Sequence, residues 1–90
     1  MNEYLTFSNG TVIPGKAREG VNVLFVYLEG ISMENAQTLL SNPDNVKTII
    51  YHYYKVDLTF EGYTRLAVIN DDGYRIIAML EKDGVENGAE

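Results

Sequence analysis

Thr48-Ile49-Ile50-Tyr51-His52-Tyr53-Tyr54-Lys55 (residues 48–55) gathers three tyrosines, the only histidine and a lysine into eight positions. Read as a strand, the stretch extends over 46–54. It places Lys47, Ile49, Tyr51 and Tyr53 on one face and Val46, Thr48, Ile50, His52 and Tyr54 on the other. Ile49 and Ile50 then point to opposite sides, so both faces carry apolar content. Aromatic and β-branched residues favour a pleated, half-buried surface, where each cross-strand pair contributes about 0.2–1 kcal/mol. The segment therefore reads first as sheet.

Its second reading is a protein-contact patch. Tyrosine combines large contact area, a polar tip and few rotatable bonds. Tyr51, Tyr53, Tyr54 and Lys55 are the candidate protein-interaction residues. A base-stacking platform would need a positively charged groove. This chain has 13 acidic and 7 basic residues for a net charge of −6, and no two bases are adjacent. Direct nucleic-acid binding depends on clustered cations that displace counterions, so it is not expected.

Outward from this stretch the chain is strand-rich. Tyr4-Leu5-Thr6-Phe7 and Thr11-Val12-Ile13 flank Ser8-Asn9-Gly10, a hairpin signal because Asn-Gly accepts positive φ. Pro14-Gly15 is expected to stop the second strand, leaving 16–20 as a polar loop. Val21-Asn22-Val23-Leu24-Phe25-Val26-Tyr27-Leu28 is apolar on both alternating sets and predicts a central strand. Ser32 stands as N-cap to a helix over about 32–40, whose Met33, Ala36, Leu39 and Leu40 form one stripe. Pro43 ends it by restraining Asn42. Further strands are predicted at 56–60, a potential exposed edge open to pairing with a partner, and at 63–69 and 74–80, the last two joined by Asn70-Asp71-Asp72-Gly73. The sum is an α+β, mostly β domain: an antiparallel curved sheet or small barrel of six to seven strands with one short helix. Residues 1–80 form the single domain, and 81–90 read as a flexible acidic tail.

The chemistry-bearing residues are few. With no cysteine, neither a disulfide scaffold nor a thiolate metal site is available. A lone His52 has no second histidine to anchor zinc, and the sequence offers no positioned third partner for a nucleophilic triad. Asn70-Asp71-Asp72-Gly73 lacks the ligand spacing of a calcium loop, and Pro14-Gly15-Lys16 lacks a phosphate loop's glycine run. Glu29 and Glu34 flank the helix start, where acids are routine. The expectation is a non-enzyme with no cofactor, no metal and no small-molecule ligand. The start, Met1-Asn2-Glu3-Tyr4-Leu5-Thr6, has no basic, apolar leader pattern, and no stretch reaches membrane-spanning length.

Phe60-Glu61-Gly62-Tyr63-Thr64-Arg65-Leu66, followed by Ala67-Val68-Ile69, resembles the F-E-G-Y/F-T-x-L motif of small uncharacterised proteins of phages and prophages of Firmicutes. The Asn-Gly hairpin, the strand and short helix over 24–40 and the hairpin over 69–80 are similar to that pattern. The resemblance implies an accessory or virion structural role, acting through a protein partner or self-association. It implies residence in the bacterial cytoplasm, with association to the virion. No catalytic residue is carried over. An alternative suggested by small size and acidity is an anti-defence inhibitor that mimics nucleic acid in a host nuclease complex.

Overall fold

The computed structural model describes residues 2–84. Seven strands, β1 (Glu3–Thr6), β2 (Val12–Glu19), β3 (Val23–Leu28), β4 (Thr48–Tyr53), β5 (Val56–Glu61), β6 (Tyr63–Asp71) and β7 (Ile76–Lys82), form one sheet. Its order is β5-β4-β1-β2-β3-β7-β6, every neighbouring pair antiparallel. A single helix, α1 (Met33–Ser41), and a 3₁₀ turn at Pro43–Asn45 fill the link between β3 and β4. The fold is thus α+β and mostly β, a curved sheet that does not close into a barrel.

The curvature starts in β2. Its first part, Val12 to Pro14, pairs with β1, while Gly15 to Glu19 pair with β3 on the opposite side. Pro14 and Gly15, expected to end this strand, are instead where it changes partner. Proline has no N–H to contribute, and Pro14 here supplies only its carbonyl, which accepts from the Glu29 N–H at 2.9 Å. Gly15 lets β3 approach: a Cβ there would lie 1.9 Å from the Tyr27 carbonyl oxygen. The loop expected at 16–20 is therefore strand as far as Glu19, with Ala17 buried and Lys16 and Arg18 facing out.

The other end of the curl is Gly62. β5 and β6 lie at opposite ends of the strand order, yet this one residue, at φ +87°, joins them. The sheet therefore turns back far enough for its two edge strands to share a corner. The Asp83 N–H donates to the Gly62 carbonyl there. β6 departs from regular pairing with β7 twice, between Tyr63 and Arg65 and between Leu66 and Val68. Such irregularities twist an edge strand.

The concave face holds the core. Leu5, Ile13, Leu24, Val26, Leu28, Ile49, Ala78 and Leu80 point inward, most of them without solvent exposure. Burying each large aliphatic side chain contributes about 1.5–3 kcal/mol. Helix α1 begins at Ser32, whose hydroxyl accepts from the Asn35 N–H at 3.1 Å. It adds Ala36, Leu39 and Leu40 to the core and packs against β6. Asn45 ties the following 3₁₀ turn to the helix by donating from Nδ2 to the Leu39 carbonyl.

Boundaries shift at the last hairpin. Asn70 and Asp71 extend β6, whereas Tyr74 lies in the turn with most of its surface exposed, so β7 begins at Ile76. Glu81 and Lys82, assigned to a tail by sequence, complete β7. The rest of the expected tail, 85–90, lies outside the described residues.

Candidate functional site

The β4–β5 hairpin carries the residues singled out by sequence. Its register sets Tyr53 opposite Val56, Tyr51 opposite Leu58 and Ile49 opposite Phe60, all facing the core side. Exposure grades along that face. Ile49 is buried and Phe60 half-buried against the core, but Leu58 is 45% and Val56 52% exposed. The apolar inner face thus runs past the covered interior and out to a free edge, since β5 pairs only with β4.

The four candidate residues separate into two groups. Tyr51 is half-buried against the core, and its hydroxyl donates to Glu3 Oε1 at 2.7 Å. Burial, then the Glu3 carboxylate, push its pKa up to about 12. Tyr51 is consequently a packing residue. Tyr53, Tyr54 and Lys55 stand exposed around the turn of the hairpin. Tyr54 adopts a positive φ of 57° there, a conformation uncommon outside glycine and asparagine. Its ring meets the edge of Tyr53 at a centroid distance of 4.6 Å. The 56–60 strand, expected from sequence as a potential exposed edge, is an edge of the sheet, and Val56 and Leu58 stay uncovered there because the covering structure stops short of them.

His52 lies on the opposite, outer face. The Tyr4 ring stacks on it at 4.3 Å, and its Nδ1 is 2.9 Å from Asp57 Oδ1 and its Nε2 2.9 Å from Thr6 Oγ1. The three residues come from β5, β4 and β1 in spatial sequence. With Nδ1–H donated to Asp57, Nε2 can accept the Thr6 hydroxyl proton. That is the order of groups in a hydroxyl–imidazole–carboxylate relay. The partner that the sequence did not offer is therefore present, brought from 46 residues away. The arrangement lies on an open sheet surface, and the described hollows are lined by other residues. Mechanically it clips three strands together.

Elsewhere, among the described residues, no group of three or more His, Cys, Asp or Glu side chains is placed to hold a metal. No helix among the described residues is long and apolar enough to cross a membrane. Tyr63, in the Phe60–Leu66 segment, is buried and donates its hydroxyl to Glu19. That carboxylate, together with burial, pushes the phenol up to about 12. The motif is thus a bend at Gly62 followed by an anchoring tyrosine, with Phe60 and Leu66 packed partly against the core. No protein-family model matches the chain, and no curated protein or solved structure is significantly similar to it.

Proposed function

We propose that this chain is a non-enzymatic contact protein that joins a second copy of itself through the free edge of β5, in the accessory virion setting implied by the Phe60–Leu66 resemblance. One observation carries the reading: the edge is self-complementary. In antiparallel pairing about a two-fold axis through Leu58, both concave faces lie on the same side. Leu58 then meets Leu58 of the second copy, and Val56 meets Phe60. Asp57 meets Thr59, and Lys55 meets Glu61. Apolar residues face apolar ones, and the outermost pair is oppositely charged. Neither Lys55 nor Glu61 forms an ion pair among the described residues. Unpaired edge N–H and C=O groups are a ready template for such strand addition, and the exposed Tyr53 and Tyr54 flank the joint.

A six-residue strand pair buries less than the ~1,600 Å² of a standard interface. The dimer is therefore expected at protein concentrations on the order of tens of micromolar, not nanomolar. Light scattering coupled to size exclusion tests the assembly, and a charge swap tests the register. Lys55→Glu and Glu61→Lys are each expected to weaken association, and the double variant to restore it. A wild-type monomer at millimolar concentration, or a double variant no better than either single one, would reject the proposal.

The nucleic-acid mimic is less well served by the side-chain arrangement. Mimicry needs free carboxylates in a row, whereas Glu3, Glu19, Asp44, Asp57, Asp72 and Glu81 each engage an internal partner.

A further inference from the structure

We propose that the hollow of about 380 Å³ lined by Lys16, Ala17, Arg18, Tyr27, Tyr51 and Arg75 binds an anion, a carboxylate or phosphate carried on a flat ring. The inference runs against the sequence expectation of no small-molecule ligand, and it concerns β2, β3, Tyr51 of β4 and the approach to β7, not the free edge of β5.

The first support is charge placement. The chain has seven bases in all, and three of them line this one hollow. In so acidic a protein the concentration needs a cause. Pairing with the protein's own acids supplies it for Arg75 alone, through Asp72. Lys16 and Arg18 have no carboxylate within ion-pair distance among the described residues. The nearby Glu3 accepts from the Tyr51 hydroxyl. Arg18 instead reaches Tyr27, donating from Nη2 to its hydroxyl at 3.4 Å, and lies 4.8 Å from the Phe25 ring centroid.

The second support is independent. The Arg75 guanidinium lies over the Tyr27 ring at 5.5 Å, and its Nη2 approaches Asp72 Oδ2 at 3.6 Å. Its Nε is buried without a hydrogen-bond partner, alone in this among the side-chain nitrogens and oxygens of the described residues. Buried donors are almost always satisfied, and a small shift of the Arg75 side chain that opens Nε to the hollow would give this one an acceptor. Guanidinium groups present a planar fork that matches carboxylate and phosphate oxygens. Tyr27 and Tyr51 line the same space, and aromatic rings favour stacked or edge contacts with another ring. The volume falls in the lower part of the range typical of small-molecule sites. A larger hollow of about 550 Å³ near Tyr63 lacks this character: Glu19 accepts the Tyr63 hydroxyl, and Lys82 lies over the Tyr63 ring.

Amide and arginine-side-chain NMR spectra of the full chain, titrated separately with phenyl phosphate, benzoate and neutral benzamide, test the site. Saturable shifts of the Arg75 Nε–H and of the Ala17, Arg18 and Tyr27 amides are expected with at least one anion. Benzamide is expected to produce none. Arg18→Gln and Lys16→Gln, both at exposed positions that leave folding intact, are each expected to weaken that binding about tenfold, the equivalent of one lost charge-assisted contact. The preferred anion identifies carboxylate or phosphate as the natural group. Absence of saturation by about 10 mM, weaker than any useful affinity, overturns the site. So does an equal response to benzamide, or binding that both variants leave unchanged.

Discussion

Replacing Gly15 by alanine tests the point on which the curvature of the sheet depends. The added Cβ would lie 1.9 Å from the Tyr27 carbonyl oxygen, 3.1 Å from its carbon and 3.4 Å from Leu28 Cα. All three are backbone atoms of β3, paired with β2 on one side and β7 on the other. No side-chain rotation relieves the clash, so one strand has to move by about an ångström. Overpacking a well-filled interior costs typically about 1–3 kcal/mol, occasionally more, and a rigid obstacle belongs at the upper end. Stability of roughly 0.05–0.15 kcal/mol per residue gives a domain of this size about 5–13 kcal/mol. A loss of about 3 kcal/mol should lower Tm by roughly 12–24 °C. Gly10→Ala is the control. Gly10, unlike Gly15, has positive φ, at +90°, and nothing lies within 4 Å of its would-be Cβ, so only the backbone penalty of about 1–2 kcal/mol applies. Urea titration and thermal melts of both variants measure the difference. A Gly15→Ala protein within about 0.5 kcal/mol of wild type would refute the partner-changing bend.

Two further outcomes follow from the same geometry. Leu58 is 45% exposed in the single chain, so Leu58→Lys should leave the fold intact while setting two like charges face to face in the proposed dimer. Losing the remaining burial of Leu58 from both copies removes about 1.5–3 kcal/mol; sedimentation should show a dimer weakened roughly ten- to a hundredfold, and unchanged self-association would count against the two-fold through that residue. Tyr51 and Tyr63 are both raised from 10 to about 12, which favours their neutral forms in the folded protein. Their contribution to stability is complete below pH 10 and is lost as pH climbs through 12; ultraviolet titration should show Tyr51 and Tyr63 ionising only near pH 12, with Glu19→Gln moving only Tyr63 downward, and ionisation of both by about pH 10 would contradict these hydrogen bonds.

Much of the fold was legible because its signals are local. Alternation assigned Ile49, Tyr51 and Tyr53 to one side of β4, and that side faces the core. Ser32 and the Met33, Ala36, Leu39 and Leu40 stripe located α1 to within a residue. What escaped was set by distant partners. Pro14-Gly15 is a stop in isolation and becomes a crossover only because β1 and β3 lie on opposite sides of it. The alternation of Lys16 and Arg18 with Ala17 went unread because the loop expectation came first. Of the candidate site, Tyr53, Tyr54 and Lys55 emerged from composition. The exposed edge at 56–60 was expected too, but how much of its inner face stays uncovered depends on where the covering elements end. His52 looked solitary because Thr6 reaches it only through the pairing of β1 with β4.

The irregular pairing of β6 bears on how large an assembly could become. A protein with two straight, open borders risks adding subunits without limit, as fibrils do. Here the β5 border pairs with β4 without a register shift, and in the proposed dimer a match across a two-fold axis uses up both copies at once. The other is kinked in two places, between Tyr63 and Arg65 and again between Leu66 and Val68, which spoils it as a template. Growth would therefore halt at a pair, leaving a fourteen-stranded arc with two blunt ends.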